Sequence, residues 1–246
     1  MKAYLIGEHF AELKNRLFKI IFTFVFSFLI CYYFSDNIYT ILLQPLIKVT
    51  HQSDLRKIIY TGLTEAFFTY IKLATFSAFI VTFPMIALQV YLFIAPGLYR
   101  VEKKMAAFIL ITSPILFWSG GVFVFLFVMP KAWHFFMGFE NTSSRIPIIL
   151  EARISEYLNL VIQLITAFGI AFQLPIIILM MNLLKLINAA NLRKKRRLAV
   201  VINFIIAGVL TPPDVLSQLA LALPLLLLYE LSILMCKFTE KKRINA

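Results

Sequence analysis

Two glutamates in basic surroundings are the residues of this sequence best suited to recognise a cationic ligand. Glu12 lies in HFAELKNRL, just before Lys14. Glu102 lies in FIAPGLYRVEKK, on a short loop after Pro96 and Gly97. A carboxylate at such a position can hold a guanidinium through two parallel hydrogen bonds, which favours arginine over lysine. The alternative is an ion pair with a neighbouring basic residue of the same chain, and surface pairs of that kind are weak.

A polar residue in the middle of an apolar run suggests a second kind of chemistry. Gln173 lies in FGIAFQLPIIILM, two residues before Pro175. Polar side chains at membrane depth are rare and usually functional. Gln173 could hydrogen-bond to the helix of a partner or to transported backbone. It could equally tie together two helices of this chain, and the sequence leaves both interpretations open.

The stretch VLTPPDVLSQ interrupts the apolar sequence near the C-terminus and predicts a sharp helical hairpin. Pro212 disfavours helical geometry at Thr211, which ends one helix. Thr211 and Asp214 then form a T-x-x-D capping box for the next helix. Gln218, one turn further on, has no capping role, so we expect the tip of the hairpin to do more than turn the chain.

Catalytic and metal-binding patterns are absent from the sequence. The three histidines, His9, His51 and His134, have no metal-ligand spacing and no neighbouring nucleophile, and the two cysteines, Cys31 and Cys236, give no disulfide framework. No glycine-rich phosphate loop, H-E-x-x-H or G-x-S-x-G motif occurs. We therefore predict neither an enzyme nor a protein that holds a metal or another cofactor.

Composition identifies lipid as the solvent of this chain. Of 246 residues, 61% are hydrophobic, and mean hydropathy is +0.87. Continuous apolar runs favour membrane-spanning helices over a β-barrel, whose strands would alternate in segments of about 10 residues. The sequence predicts an all-α polytopic fold whose spans are about 17–33, 66–95, 105–130, 157–184, 198–210 and 212–236.

The basic residues predict the orientation of these six helices. Because the number of predicted helices is even, both termini lie on one face of the membrane, together with seventeen of the 24 lysines and arginines. Basic residues collect in cytoplasmic loops, so we expect cytoplasmic termini. The same rule accounts for the net charge of +12 without a nucleic-acid partner. The fifth helix is short, and the turn to the sixth should lie at shallow depth.

Seven stretches, in order and covering nearly the whole length, resemble the TatC family, the polytopic subunit of the twin-arginine protein translocase. They are HFAELKNRL, QPLIK, YTGLTEAFFTYIKLA, FIAPGLYRVEKK, FGIAFQLPI, NLRKKRRLAVV and VLTPPDVLSQLALALPLLLLYE. The pair Lys14-Asn15 departs from the common Arg-Lys, and Gly97 stands where alanine is also found. The resemblance implies a receptor for twin-arginine signal peptides of folded cargo, which recruits single-span TatA- or TatB-type subunits. It also implies that the proton-motive force drives transport.

The resemblance assigns roles to individual positions of this sequence. It implies a signal-peptide site formed by Glu12, Lys14, Arg16, Phe93, Pro96, Leu98 and Glu102. It implies docking of partner helices at Gln173, Asp214 and Gln218.

A secondary transporter of a small solute is the alternative function, but the two halves of the chain lack matching broken helices or charged pairs.

We expect residues 1–246 to form one integral-membrane domain within an oligomeric complex in the lipid bilayer. Abundant Phe, Ile, Lys and Asn indicate an AT-rich genome, bacterial or organellar. Because no transit peptide is evident, we expect a bacterial inner membrane. An organelle-encoded protein of the mitochondrial inner membrane is the alternative.

Overall fold

The computed structural model describes residues 2–49, 59–94, 100–139, 153–210 and 215–244. Nearly all of these residues are helical, and the predicted all-α fold is confirmed. The helices are α1 Lys2–Tyr33, α2 Ser35–Val49, α3 Glu65–Ile94, α4 Arg100–Phe123, α5 Met129–Met137, α6 Ile154–Ala171, α7 Leu174–Leu183, α8 Ala189–Lys194, α9 Arg196–Leu210 and α10 Val215–Ile244. A π-helical turn, Val124–Val128, connects α4 to α5.

Five helical segments of the described residues are long and apolar enough to cross a membrane, which makes this a multi-pass membrane protein. They are Ala11–Tyr33, Glu65–Phe93, Ala106–Met137, Ile154–Leu183 and Gln218–Lys241. The predicted fifth span corresponds to α9, which has 15 residues. At 1.5 Å per residue α9 is only about 22 Å long, against a hydrocarbon core of about 30 Å. The sixth crossing stays a prediction.

Close contacts divide the chain into two compact units. The first comprises Met1–Ile38 and Tyr70–Ile115, and the second comprises Tyr39–Thr69 and Leu116–Ala246. Within the first unit, buried Cys31 of α1 packs with Ala74 and Ala78 of α3, and Phe24 and Phe28 cover this cluster. Alanines one helical turn apart leave room for the larger side chains of α1, because small residues let helix backbones approach.

Glycines allow α4 and α6 to approach closely within the second unit. A Cβ on Gly120 of α4 would lie 2.8 Å from the carbonyl oxygen of Phe168, on α6. A Cβ on Gly169 would lie 2.7 Å from Cε2 of Phe117. Both separations are too short for real carbon atoms, so these two helices can pack in this way only without those side chains.

A proline explains why the predicted fourth span is two helices. Pro175 has no N–H to donate, so α6 ends at Ala171 and α7 begins at Leu174. Pro84, Pro114 and Pro224 instead lie inside the continuous helices α3, α4 and α10.

A hydrogen-bond network within the second unit fixes the segment that enters α3. The Glu65 carboxylate accepts hydrogen bonds from the backbone N–H groups of Thr61, at 2.8 Å, and Gly62, at 3.2 Å. It also accepts a bond from the Ser155 hydroxyl of α6. Next to it, the N–H of Ile154 donates to the Ile59 carbonyl at 3.0 Å. The first acid of α3 therefore holds the segment that precedes this helix and ties it to α6.

Candidate functional site

An open groove of about 560 Å³ in the first unit contains the first predicted site residue. Five residues of α1 lie on one face and form one wall, because their spacing repeats at the helical period. Residues of α3 form the other wall. The lining residues are Ala11, Glu12, Asn15, Arg16 and Lys19 of α1 with Gln89 and Leu92 of α3.

Glu12 and Arg16 form an ion pair across one turn of α1. Nε of Arg16 donates to Oε1 of Glu12 at 3.2 Å, and Nη2 donates to the same oxygen. The Arg16 side chain is only 18% exposed and that of Glu12 35%, so the pair is better shielded from water than a fully exposed one. The sequence analysis gave a local ion pair as the alternative for Glu12, and the structure contains such a pair. It also demonstrates that this carboxylate holds a guanidinium in the groove.

Gln89 is a site residue that the sequence analysis missed. Its side chain is 4% exposed and lines the same groove as Glu12. Nε2 donates to the Met85 sulfur at 3.7 Å, whereas Oε1 has no hydrogen-bond partner among the described residues. Buried acceptors are nearly always satisfied. The signal in the sequence was its position one turn before Phe93, which places both residues on one side of α3.

The remaining predicted signal-peptide residues lie on α1 or around the connection between α3 and α4. Lys14 is exposed on α1, outside the described lining of the groove, and Phe93, near the end of α3, is 37% exposed. Glu102 lies in the first turn of α4, which begins at Arg100, and its side chain lies outside the described part. Pro96 and Leu98 also lie outside the described residues.

The predicted partner-docking residues occupy two places in the second unit. Gln173 immediately precedes α7, at the interruption caused by Pro175. Gln218, near the start of α10, donates from Nε2 to the Phe204 carbonyl of α9 at 3.2 Å. Asp214, like the predicted capping box with Thr211, lies outside the described residues. Gln218 therefore stabilises the hairpin, which leaves docking at this residue a prediction.

Comparison with known proteins decides the family. The model for the Sec-independent protein translocase protein TatC matches residues 8–224. The chain belongs to the TatC family. Curated relatives agree over nearly the whole chain. The TatC protein of Rickettsia prowazekii (strain Madrid E) is 65% identical, with 99% of this chain and 96% of the relative covered. That of Escherichia coli (strain K12) is 35% identical, with coverage of 96% and 90%.

A solved structure supports the same assignment. A crystal structure of the twin-arginine translocase receptor TatC superposes with a TM-score of 0.77 at 33% identity. The match covers 94% of this chain and 98% of that one. This TatC-family chain is thus a subunit of a protein translocase, acting in transport. These similarities do not favour the alternative of a secondary transporter for a small solute.

Proposed function

We propose that this chain is the signal-peptide receptor of a twin-arginine translocase, and that its groove in the first unit binds the arginines of the signal. The observation that carries the proposal is the Glu12–Arg16 pair, in which the groove already accommodates a guanidinium on a carboxylate. A signal arginine would make the same hydrogen bonds. Planar, bidentate recognition distinguishes it from lysine.

Two further acceptors complete the proposed site. Oε1 of Gln89 lines the groove as a buried acceptor, and it would take an N–H of the incoming peptide. Glu102, in the first turn of α4, would receive the second arginine. Phe93, Pro96 and Leu98 would form the apolar border between them, while Lys14 and Arg16 would form the basic flank.

We propose the rest of the assembly on charge, length and family membership. The chain has six spans with both termini in the cytoplasm, which follows the distribution of lysine and arginine. Curated relatives such as those of Rickettsia prowazekii and Escherichia coli are bacterial, which favours a bacterial inner membrane. Folded cargo crosses with energy from the proton-motive force. Single-span TatA- or TatB-type subunits dock at Gln173, Asp214 and Gln218, in an oligomeric complex.

The receptor proposal predicts that binding depends on both acids and on paired arginines. A signal peptide carrying a photocrosslinker is presented to the purified protein with either Arg-Arg or Lys-Lys in its motif. We expect Glu12→Gln and Glu102→Gln each to reduce labelling by the Arg-Arg peptide about tenfold, since a charge-assisted hydrogen bond contributes about 1.5–3 kcal/mol. The Lys-Lys peptide should label the wild-type protein weakly.

Glu156→Gln provides the matched control, because Glu156 pairs only loosely with Arg153, at 3.6 Å, and is 71% exposed in the second unit. Its labelling should equal that of the wild type. The receptor proposal would be ruled out by equal labelling with the Arg-Arg and Lys-Lys peptides, together with labelling that is unchanged in Glu12→Gln and Glu102→Gln.

The docking proposal predicts a separate defect for Gln173→Leu. This change roughly keeps the volume of the side chain and removes its hydrogen-bonding groups. Signal labelling should persist, while co-purification of a single-span subunit should fall about threefold, as expected for one hydrogen bond between membrane helices of roughly 0.6 kcal/mol. Gln163→Leu, at an exposed position on α6, serves as the control. If Gln173→Leu abolishes signal binding instead, Gln173 belongs to the receptor site.

A further inference from the structure

A second groove, of about 520 Å³, lies within the second unit and has no role in the function proposed above. Its rims are exposed apolar residues of α6, α7 and α9, and its floor is formed by buried residues of α10. Ile177 and Ile202, on opposite rims, are 56% and 44% exposed, whereas Leu225 on the floor is fully buried. We call this the α7–α9 groove. It is an apolar channel with an open side.

One polar side chain lines the middle of the α7–α9 groove without a partner. Asn203 of α9 is 2% exposed, and its Nδ2 has no hydrogen-bond partner among the described residues. Tyr229 of α10 also lines the groove, but its hydroxyl donates to the Leu192 carbonyl at 2.9 Å. An unsatisfied buried donor is costly, particularly where no water can reach it. The groove therefore offers a hydrogen bond to whatever occupies it.

The end of the groove nearest α8 is basic. Lys195 lines the groove there, in the sequence Arg193-Lys194-Lys195-Arg196-Arg197. Arg196 already pairs with Glu230 at 2.6 Å. None of the described residues that line the groove is acidic, so Lys195 gives this end a positive charge.

We propose that the α7–α9 groove binds one anionic phospholipid. The phosphate contacts Lys195, an ester carbonyl accepts the hydrogen bond of Asn203, and an acyl chain follows the apolar channel. Asn203 follows Lys195 by eight residues, about 12 Å along the helix. The headgroup layer is about 5–7 Å thick on each side of a bilayer, and the flexible stem of a lysine covers the remainder. Basic pockets between membrane helices are a general form of anionic-lipid site.

The size of the groove favours an acyl chain over a helix. A methylene group is roughly as large as a water molecule, whose share of liquid volume is about 30 Å³. The groove therefore holds on the order of 17 methylene groups, which is one fatty-acid chain. A partner helix about 10 Å across with its side chains would fill this volume with only about 7 Å of its length, which is little more than one turn.

The proposal is tested by measuring lipid retention on the purified full-length protein by native mass spectrometry. Phosphatidylglycerol and phosphatidylcholine with identical acyl chains are offered at equal concentration. We expect the wild type to retain phosphatidylglycerol about fivefold better, the effect of one lysine near a headgroup with a net negative charge. Lys195→Gln should abolish that preference, and Asn203→Leu should reduce retention of both lipids.

Two controls make the result decisive. Lys194→Gln changes an equally exposed lysine outside the described lining of the groove and should leave retention unchanged. Asn203→Leu removes an amide whose Nδ2 has no partner among the described residues, so we expect this variant to fold. Circular dichroism of the variant checks that it does. Equal retention of the two lipids by the wild type would overturn the proposal. The proposal would also be overturned if Lys195→Gln and Asn203→Leu both retained the lipids as the wild type does.

Discussion

Gly120→Ala is expected to lower the thermal unfolding midpoint by about 6 °C. The new Cβ would lie 2.8 Å from the Phe168 carbonyl oxygen and 3.1 Å from Cγ of Phe172. Because the nearest atom belongs to the backbone of α6, relief requires the two helices to separate. Overpacking of this kind costs about 1–3 kcal/mol, and about 2–4 °C is lost per kcal/mol in a protein of this size. Circular dichroism of the purified protein in detergent gives the midpoint.

Gly121→Ala is the matched control for this experiment. A Cβ at Gly121 would lie 3.2 Å from Cγ2 of Ile165, and a side-chain methyl group can move aside. Its midpoint should fall by less than half as much. If the two neighbouring variants are equally stable, the close approach of α4 and α6 is not as described.

Tyr157→Ala is expected to be at least as damaging as Gly120→Ala. Tyr157 of α6 is 4% exposed and its ring stacks on Trp133 with centroids 5.0 Å apart. Its hydroxyl donates to the Leu42 carbonyl of α2 at 2.6 Å, so one side chain connects three helices of the second unit. Truncating a buried aromatic residue to alanine costs about 3–5 kcal/mol. The same melting experiment should show a midpoint lower by about 10 °C or more.

Tyr157→Phe separates the two contributions of this residue. The ring stays, and only the hydrogen bond to Leu42 is lost, which costs about 1 kcal/mol. The midpoint should therefore fall by about 2–4 °C. A phenylalanine variant as unstable as the alanine variant would mean that the hydrogen bond, rather than packing, anchors α2.

Hydropathy was sufficient to locate the long helices of this protein. The predicted first span ends at Tyr33, where α1 ends, and the predicted span from residue 66 to 95 differs from α3 by one residue at each end. The stretch LLQPLIKV, between the first two predicted spans, lies within α2. By contrast, the predicted end of the third span at Pro130 was wrong, because the helix continues to Met137. The π-helical turn before Pro130 accommodates a residue that lacks an N–H.

Side-chain partners could not be predicted from hydropathy. Gln89 and Asn203 both lie in apolar helices, and only three-dimensional packing reveals that each lines a groove with an unsatisfied polar atom. The spacing of Glu12 and Arg16 allowed a local pair, but the sequence alone did not decide between that pair and an open acceptor. The role of Gln218 in fixing α9 to α10 depends on the absence of a side chain at Gly208.

The Glu12–Arg16 pair has a consequence for the energetics of cargo recognition, if the groove is the signal-peptide site. The carboxylate is neutralised before a signal arrives, so recognition exchanges one guanidinium for another. The carboxylate is partly desolvated beforehand, which lowers the cost of receiving the signal arginine, whose hydrogen bonds replace those of Arg16. Such a swap supports rapid release, because Arg16 stands one helical turn away to reclaim the acid.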